Sequence, residues 1–136
     1  MPPARPLKVL HVDDEPLNLH IVQEILTAFG HIGVKALSGP EALERLERET
    51  FDVVLMDIHM PGMNGVETVR RLRESDCPQR NIPVIALTAD VVTRKPKEYL
   101  DLGFNDFLSK PIMVARFTAT VAAAAEPVRP PLRRAS

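Results

Sequence analysis

One cysteine, Cys77, is all the thiol that the 136 residues contain. An intrachain disulfide is therefore excluded, and so is a metal cage built from several thiolates. Such a chain suits a reducing compartment, and a cytoplasmic location is expected. Neither sign of charge is in excess. The 17 basic side chains meet 18 acidic ones, for a formal net charge of -1. That balance supplies no global attraction to nucleic acid or to an anionic membrane. Long apolar runs are missing as well. Nothing approaches the ~20 apolar residues of a membrane span. Met1-Pro2-Pro3-Ala4-Arg5-Pro6 lacks the apolar stretch of a secretory signal.

Proline, by contrast, is plentiful, and its placement is informative. Of 13 prolines, three lie in residues 1–6 and three in residues 127–131. Residues 1–6 and 126–136 read as disordered tails, the second also carrying Arg129, Arg133 and Arg134. Residues 7–125 read as one folded domain, long enough for one core.

The chain is organised around Val53-Val54-Leu55-Met56-Asp57. Four apolar residues in a row suit a strand buried on both faces, as in a parallel sheet. The carboxylate that ends it is costly to bury alone. Pro61, Gly62 and Gly65 then break the chain. Asp57 is thus expected at the mouth of the sheet, where open α/β sheets bind ligands.

The other segments follow the same rhythm. Lys8 to Val12 reads as a first strand, ended by Asp13-Asp14-Glu15. From Leu17, the residues Ile21, Val22, Ile25, Leu26 and Phe29 form one helical stripe, with Gly30 as its stop. Ile32, Val34 and Ala36 alternate as an edge strand. Pro40 is expected as the first residue of a second helix that turns Ala42, Leu43 and Leu46 inward. Val66, Val69 and Leu72 mark a third helix, with Arg70, Arg71 and Arg73 on its wet side. Ile82 to Thr88 reads as a fourth strand, Pro96 to Leu102 as a fourth helix, and Phe104 to Ser109 as a fifth strand. Met113, Phe117 and Val121 mark a last helix over about residues 112–125. Five β-α repeats with right-handed crossovers give a doubly wound parallel α/β sheet with helices on both faces.

In that architecture the polar exceptions share one edge. Strand one ends in Asp13 and Asp14, strand three in Asp57, strand four in Thr88, and Lys110 follows strand five. Crowded carboxylates repel, and a hard divalent cation relieves the repulsion. Mg²⁺ suits such oxygens, whereas no cluster of histidine or cysteine calls for zinc. A cation, a lysine and a hydroxyl around an aspartate make a phosphoryl-transfer site, with Asp57 as nucleophile. Among the histidines, His11 is expected to make a local hydrogen bond, and His20 and His31 to lie at the surface.

These residues resemble the receiver domain of two-component response regulators over about residues 7–125. The matching pieces are Val12-Asp13-Asp14-Glu15, Met56 to Gly65, Leu87-Thr88-Ala89, and Phe107-Leu108-Ser109-Lys110-Pro111. Asp57 precedes Thr88 by 31 residues, and Lys110 follows Thr88 by 22. The resemblance implies a flavodoxin-like strand order of 2-1-3-4-5. It implies that Asp57 accepts a phosphoryl group from a histidine kinase or histidine phosphotransfer protein. Asp14 would bind Mg²⁺ directly and Asp13 largely through water, with Asp57 and the His59 backbone carbonyl completing the set. Lys110 would touch the phosphoryl group, and the Lys110–Pro111 bond would be cis. Thr88 and Phe107 would form a switch pair that reshapes the fourth helix, fifth strand and fifth helix. That face would meet a downstream protein and is a candidate homodimer interface. His59 and Asp90 sit where the family tunes the loss of phosphate. Pro16-Leu17-Asn18 and Thr88-Ala89-Asp90 look most like receivers of hybrid sensor histidine kinases, so an excised segment of one is an alternative.

Rival chemistries fit less well. A haloacid dehalogenase-type phosphatase needs an acid two residues after its nucleophile, where this chain has His59. The P-loop motif is absent. A flavin module would set phosphate against Asp13 and Asp14, which repel it. Direct DNA binding needs an output domain that 136 residues do not hold. The expected role is a switch that phosphorylates and dephosphorylates only itself, not an enzyme with a separate product.

Overall fold

A strand that is apolar on both faces needs cover on both, and the fold supplies two helical layers. The computed structural model describes residues 6–89 and 95–125. The strands are β1 (Lys8–Val12), β2 (Ile32–Ala36), β3 (Val53–Asp57), β4 (Val84–Thr88) and β5 (Asp106–Ser109). The helices are α1 (Pro16–Ala28), α2 (Gly39–Arg48), α3 (Gly65–Glu74), α4 (Pro96–Asp101) and α5 (Val114–Ala124). All strand pairs are parallel, in the order β2-β1-β3-β4-β5. β3 lies at the centre, as its burial-seeking sequence requires.

Side chains alternate between the two layers. Leu10, Val12, Val54, Met56 and Ala86 pack with Ala42 and Leu46 of α2, Val69 and Leu72 of α3, and Tyr99 of α4. Val9, Val53, Leu55, Ile85 and Leu87 pack with Val22 and Leu26 of α1 and with Phe117 and Val121 of α5. Each fully buried aliphatic side chain contributes about 1.5–3 kcal/mol. Two helix starts are capped by side chains. Ser38 Oγ accepts the Glu41 N–H at 3.3 Å, and Asn64 Oδ1 accepts the Glu67 N–H at 2.9 Å. Each cap contributes about 1 kcal/mol. Gly30, just past α1, takes a φ of +83°, which favours glycine.

Several local expectations are corrected. In α1 the buried positions are Leu19, Val22 and Leu26, while Leu17, Ile21 and Phe29 are 61%, 42% and 41% exposed. The helix is rotated so that its stripe is narrower than its apolar content. Pro40 is the second residue of α2, because Ser38 rather than Gly39 caps it. β4 begins at Val84, and Pro83 before it still accepts the Val54 N–H through its carbonyl at 2.9 Å. β5 begins at Asp106 rather than Phe104. α4 stops at Asp101, with Leu102 as its cap. α5 starts at Val114, and Met113, its N-cap, is 66% exposed.

Arg73 is not a wet-side residue. Its guanidinium donates to the carbonyls of Gly103, Arg80 and Ile82 and to Asn105 Oδ1, at 2.6–3.1 Å. It ties the loop before β4 to the loop before β5. His31 is half-buried, and its Nδ1 accepts the Leu7 N–H at 3.1 Å. Asp90 and both terminal tails beyond Pro6 and Ala125 lie outside the described residues.

Candidate functional site

Strand register decides which side chains meet. His11 lies opposite Leu55 and Val12 opposite Met56, so Asp13 comes out beside Asp57. Leu87 lies opposite Asp57, and Thr88 opposite Ser109, which brings Thr88 and Lys110 to the same rim. One carboxylate oxygen from each of Asp13, Asp14 and Asp57 lies within 4.8 Å of the others. Asp13 and Asp57 are buried and Asp14 is exposed. Lys110 Nζ donates to Asp57 Oδ1 at 3.1 Å and lies 3.6 Å from Asp13 Oδ2. Thr88 is buried beside them, and its carbonyl accepts the Lys110 N–H at 2.8 Å. The Lys110–Pro111 peptide is cis.

Backbone amides shape the carboxylates. The His59 N–H donates to Asp57 Oδ1 at 3.3 Å, and the Glu15 N–H to Asp13 Oδ1 at 2.9 Å. The loop after β3 closes tightly on the site. Gly65 donates its N–H to the Ile58 carbonyl at 2.9 Å. A Cβ at Gly65 would collide with the Asp57 carbonyl, so only glycine lets α3 start there.

The electrostatics are those of an under-neutralised cluster. Burial, and then the Asp13 charge, push the Asp57 carboxyl above its usual range. Lys110 and the His59 N–H pull it back in part. Asp13 Oδ2 is buried with no hydrogen-bond partner among the described residues. The donor set is hard oxygen, one acid opens to solvent, and one buried oxygen is unsatisfied. Those features fit Mg²⁺, which takes a few carboxylates and keeps its waters.

His11 departs from expectation. It is 2% exposed, and neither ring nitrogen has a hydrogen-bond partner among the described residues. Its Nε2 lies 3.7 Å from Asp13 Oδ2. Burial lowers its pKa to about 4, with Asp13 opposing and Lys110 assisting. Phe107 is half-buried and stacks on Tyr99, ring centroids 5.1 Å apart at 14°. Tyr99 also meets Phe104 edge-on at 6.1 Å. Sequence reasoning singled out Phe107 but missed Tyr99. Its only sequence signal is one aromatic in a short helix.

The sequence profile of the response regulator receiver domain matches residues 9–122. The chain belongs to that family. As a receiver domain it is a module of two-component phosphorelay signalling. It is 39% identical over 111 residues to the sensor protein GacS of Pseudomonas syringae pv. syringae, covering 80% of this chain and 12% of GacS. This chain thus spans only about an eighth of GacS. It is 34% identical over 116 residues to the polar-differentiation response regulator DivK of Brucella anthropi, covering 85% of this chain and 94% of DivK. Among solved structures, it is similar to the receiver domain of the sensor histidine kinase PA1611 from Pseudomonas aeruginosa PAO1. That likeness has a TM-score of 0.79 at 28% identity, over 88% of this chain and 98% of the other. The PA1611 receiver has a magnesium ion coordinated in its active site cleft. Among the described residues no helix is long and apolar enough to cross a membrane.

Proposed function

We propose that this receiver domain accepts a phosphoryl group on Asp57 from a phosphohistidine of a histidine kinase or histidine phosphotransfer protein. The observation that carries the reading is Lys110 Nζ at 3.1 Å from Asp57, inside a cluster of three convergent carboxylates. An Asp57 carboxylate oxygen attacks phosphorus as the P–N bond breaks, and the donor imidazole leaves with its electron pair. Burial, which raises its pKa, leaves the Asp57 carboxylate poorly solvated, which favours attack. Lys110 stabilises charge on the phosphoryl oxygens in flight. Asp14 and Asp13, with Asp57 and the His59 carbonyl, would hold Mg²⁺, which when bound would neutralise phosphoryl charge. Water later cleaves the acyl phosphate, so the protein processes only its own phosphate and turns over no separate substrate.

Thr88 and Phe107 form the readout. The Thr88 hydroxyl donates to a phosphoryl oxygen, and the Phe107 ring turns inward behind it. That hydrogen bond and the repacked ring together bias a two-state equilibrium in the α4–β5–α5 face, where a protein partner docks. The phosphatase alternative lacks its second acid, because position 59 is His59. The test is phosphotransfer. A histidine kinase or phosphotransfer domain carrying labelled phosphohistidine should pass its label to this chain within minutes and fail with Asp57→Asn. Undiminished transfer to Asp57→Asn would move the acceptor elsewhere.

A further inference from the structure

His11 takes no part in the chemistry above, yet it occupies the wall behind the acid site. Beside it lies a cavity of about 170 Å³, lined also by Asp13, Asn18, Val22, Leu87 and Lys110. Two buried ring nitrogens and one buried carboxylate oxygen have no hydrogen-bond partner there among the described residues. Native interiors rarely leave such atoms without a partner, protein or water. The 3.7 Å between His11 Nε2 and Asp13 Oδ2 is too long for a direct hydrogen bond. Lys110 Nζ stands 3.6 Å from the same oxygen. On the same measure a water needs roughly 10–15 Å³ and 2–4 polar partners, and this cavity offers both.

We propose that His11 is a positioning residue for Asp13, acting through water held in this cavity. The Glu15 N–H fixes Asp13 Oδ1. The imidazole, through a bridging water, fixes Oδ2. Together they set the plane of the carboxylate that faces Asp14 and Asp57. A ligand's orienting partner of this kind typically changes metal affinity 10–100-fold when removed, and a water-bridged one acts at the low end of that range. The proposal rests on the reading of Asp13 and Asp14 as cation ligands.

The test is Mg²⁺ titration of the full chain by calorimetry, with no phosphodonor present. Replacing His11 by Leu keeps the volume and removes the donor, and should weaken Mg²⁺ binding roughly tenfold. His11→Gln, whose side-chain amide can supply a donor near the Nε2 position, should recover most of it. Leu and Gln variants that both bind Mg²⁺ like the parent would overturn the proposal alone. A parent that binds no Mg²⁺ would instead overturn the cation site and the proposal with it. The parent provides a reading that needs no variant. The His11 ring nitrogen resonances should shift as Mg²⁺ saturates the site, and unchanged resonances at saturation would overturn the proposal.

Discussion

Asp57→Asn should make the metal-free protein more stable. The substitution keeps the side-chain shape and removes one negative charge from a buried cluster. Two unit charges within 4.8 Å repel by about 3.5 kcal/mol at an effective dielectric of 20, and by about 1 kcal/mol in water. Lys110, at 3.1 Å, returns part of this. Burial and Asp13 still prevail, because the Asp57 pKa lies above its ordinary 3.8. The net gain should be about 1–2 kcal/mol at pH 7. For a domain of this size that is a rise in Tm of roughly 3–10 °C. The pH dependence has a definite sign. A carboxyl with a raised folded pKa holds its proton more tightly when folded. Its contribution is most favourable below the unfolded value of 3.8 and is lost as pH rises through the folded value. The gap between variant and parent should therefore narrow as pH falls from 7 towards about 4. Thermal and urea melts followed by far-UV circular dichroism in EDTA measure both arms. A variant less stable than the parent at pH 7, or a gap that widens on acidification, would refute the electrostatic reasoning.

Three further outcomes are expected. Arg73→Ala removes a guanidinium bonded to three carbonyls and Asn105, and should cost about 2–4 kcal/mol in urea melts; a loss within error would show the clamp to be incidental. Tyr99 is the single tyrosine in a chain without tryptophan, so tyrosine emission reports the surroundings of that one ring, the Phe107 stack among them. An acyl phosphate with Mg²⁺ should change that emission in the parent and not in Asp57→Asn, and a silent parent would argue against Phe107 as part of the switch. Deleting residues 127–136 should leave Tm unchanged, whereas a marked drop would place the end of the domain beyond residue 125.

Much of the fold was legible because buried parallel strands are written as unbroken apolar runs. Val53 to Met56 is the clearest, and the polar residue that ends each run marks the rim. Asp13, Asp14, Asp57, Thr88 and Lys110 meet there because chain order and right-handed crossovers leave them no other place. What stayed hidden depends on rotation and reach. The apolar surplus of α1 did not reveal that Leu19, rather than Leu17 or Ile21, turns inward. Arg73 finds its main acceptor, the Gly103 carbonyl, 30 residues away, a distance no local pattern encodes. His11 sits within an apolar strand pattern, which shows that it is buried but not that its ring nitrogens go without a hydrogen-bond partner among the described residues. Phe104 carries a β-favouring side chain but falls outside β5, which begins at Asp106.

The central claim is that Asp57 is the phosphoryl acceptor of a cation-dependent site. Its most direct test is peptide mapping by mass spectrometry after treatment with a small acyl phosphate, with Mg²⁺ and with EDTA. One phosphoryl group should appear on the peptide containing Asp57, with Mg²⁺ only. A phosphoryl group on any other residue, or equal labelling in EDTA, would contradict the account.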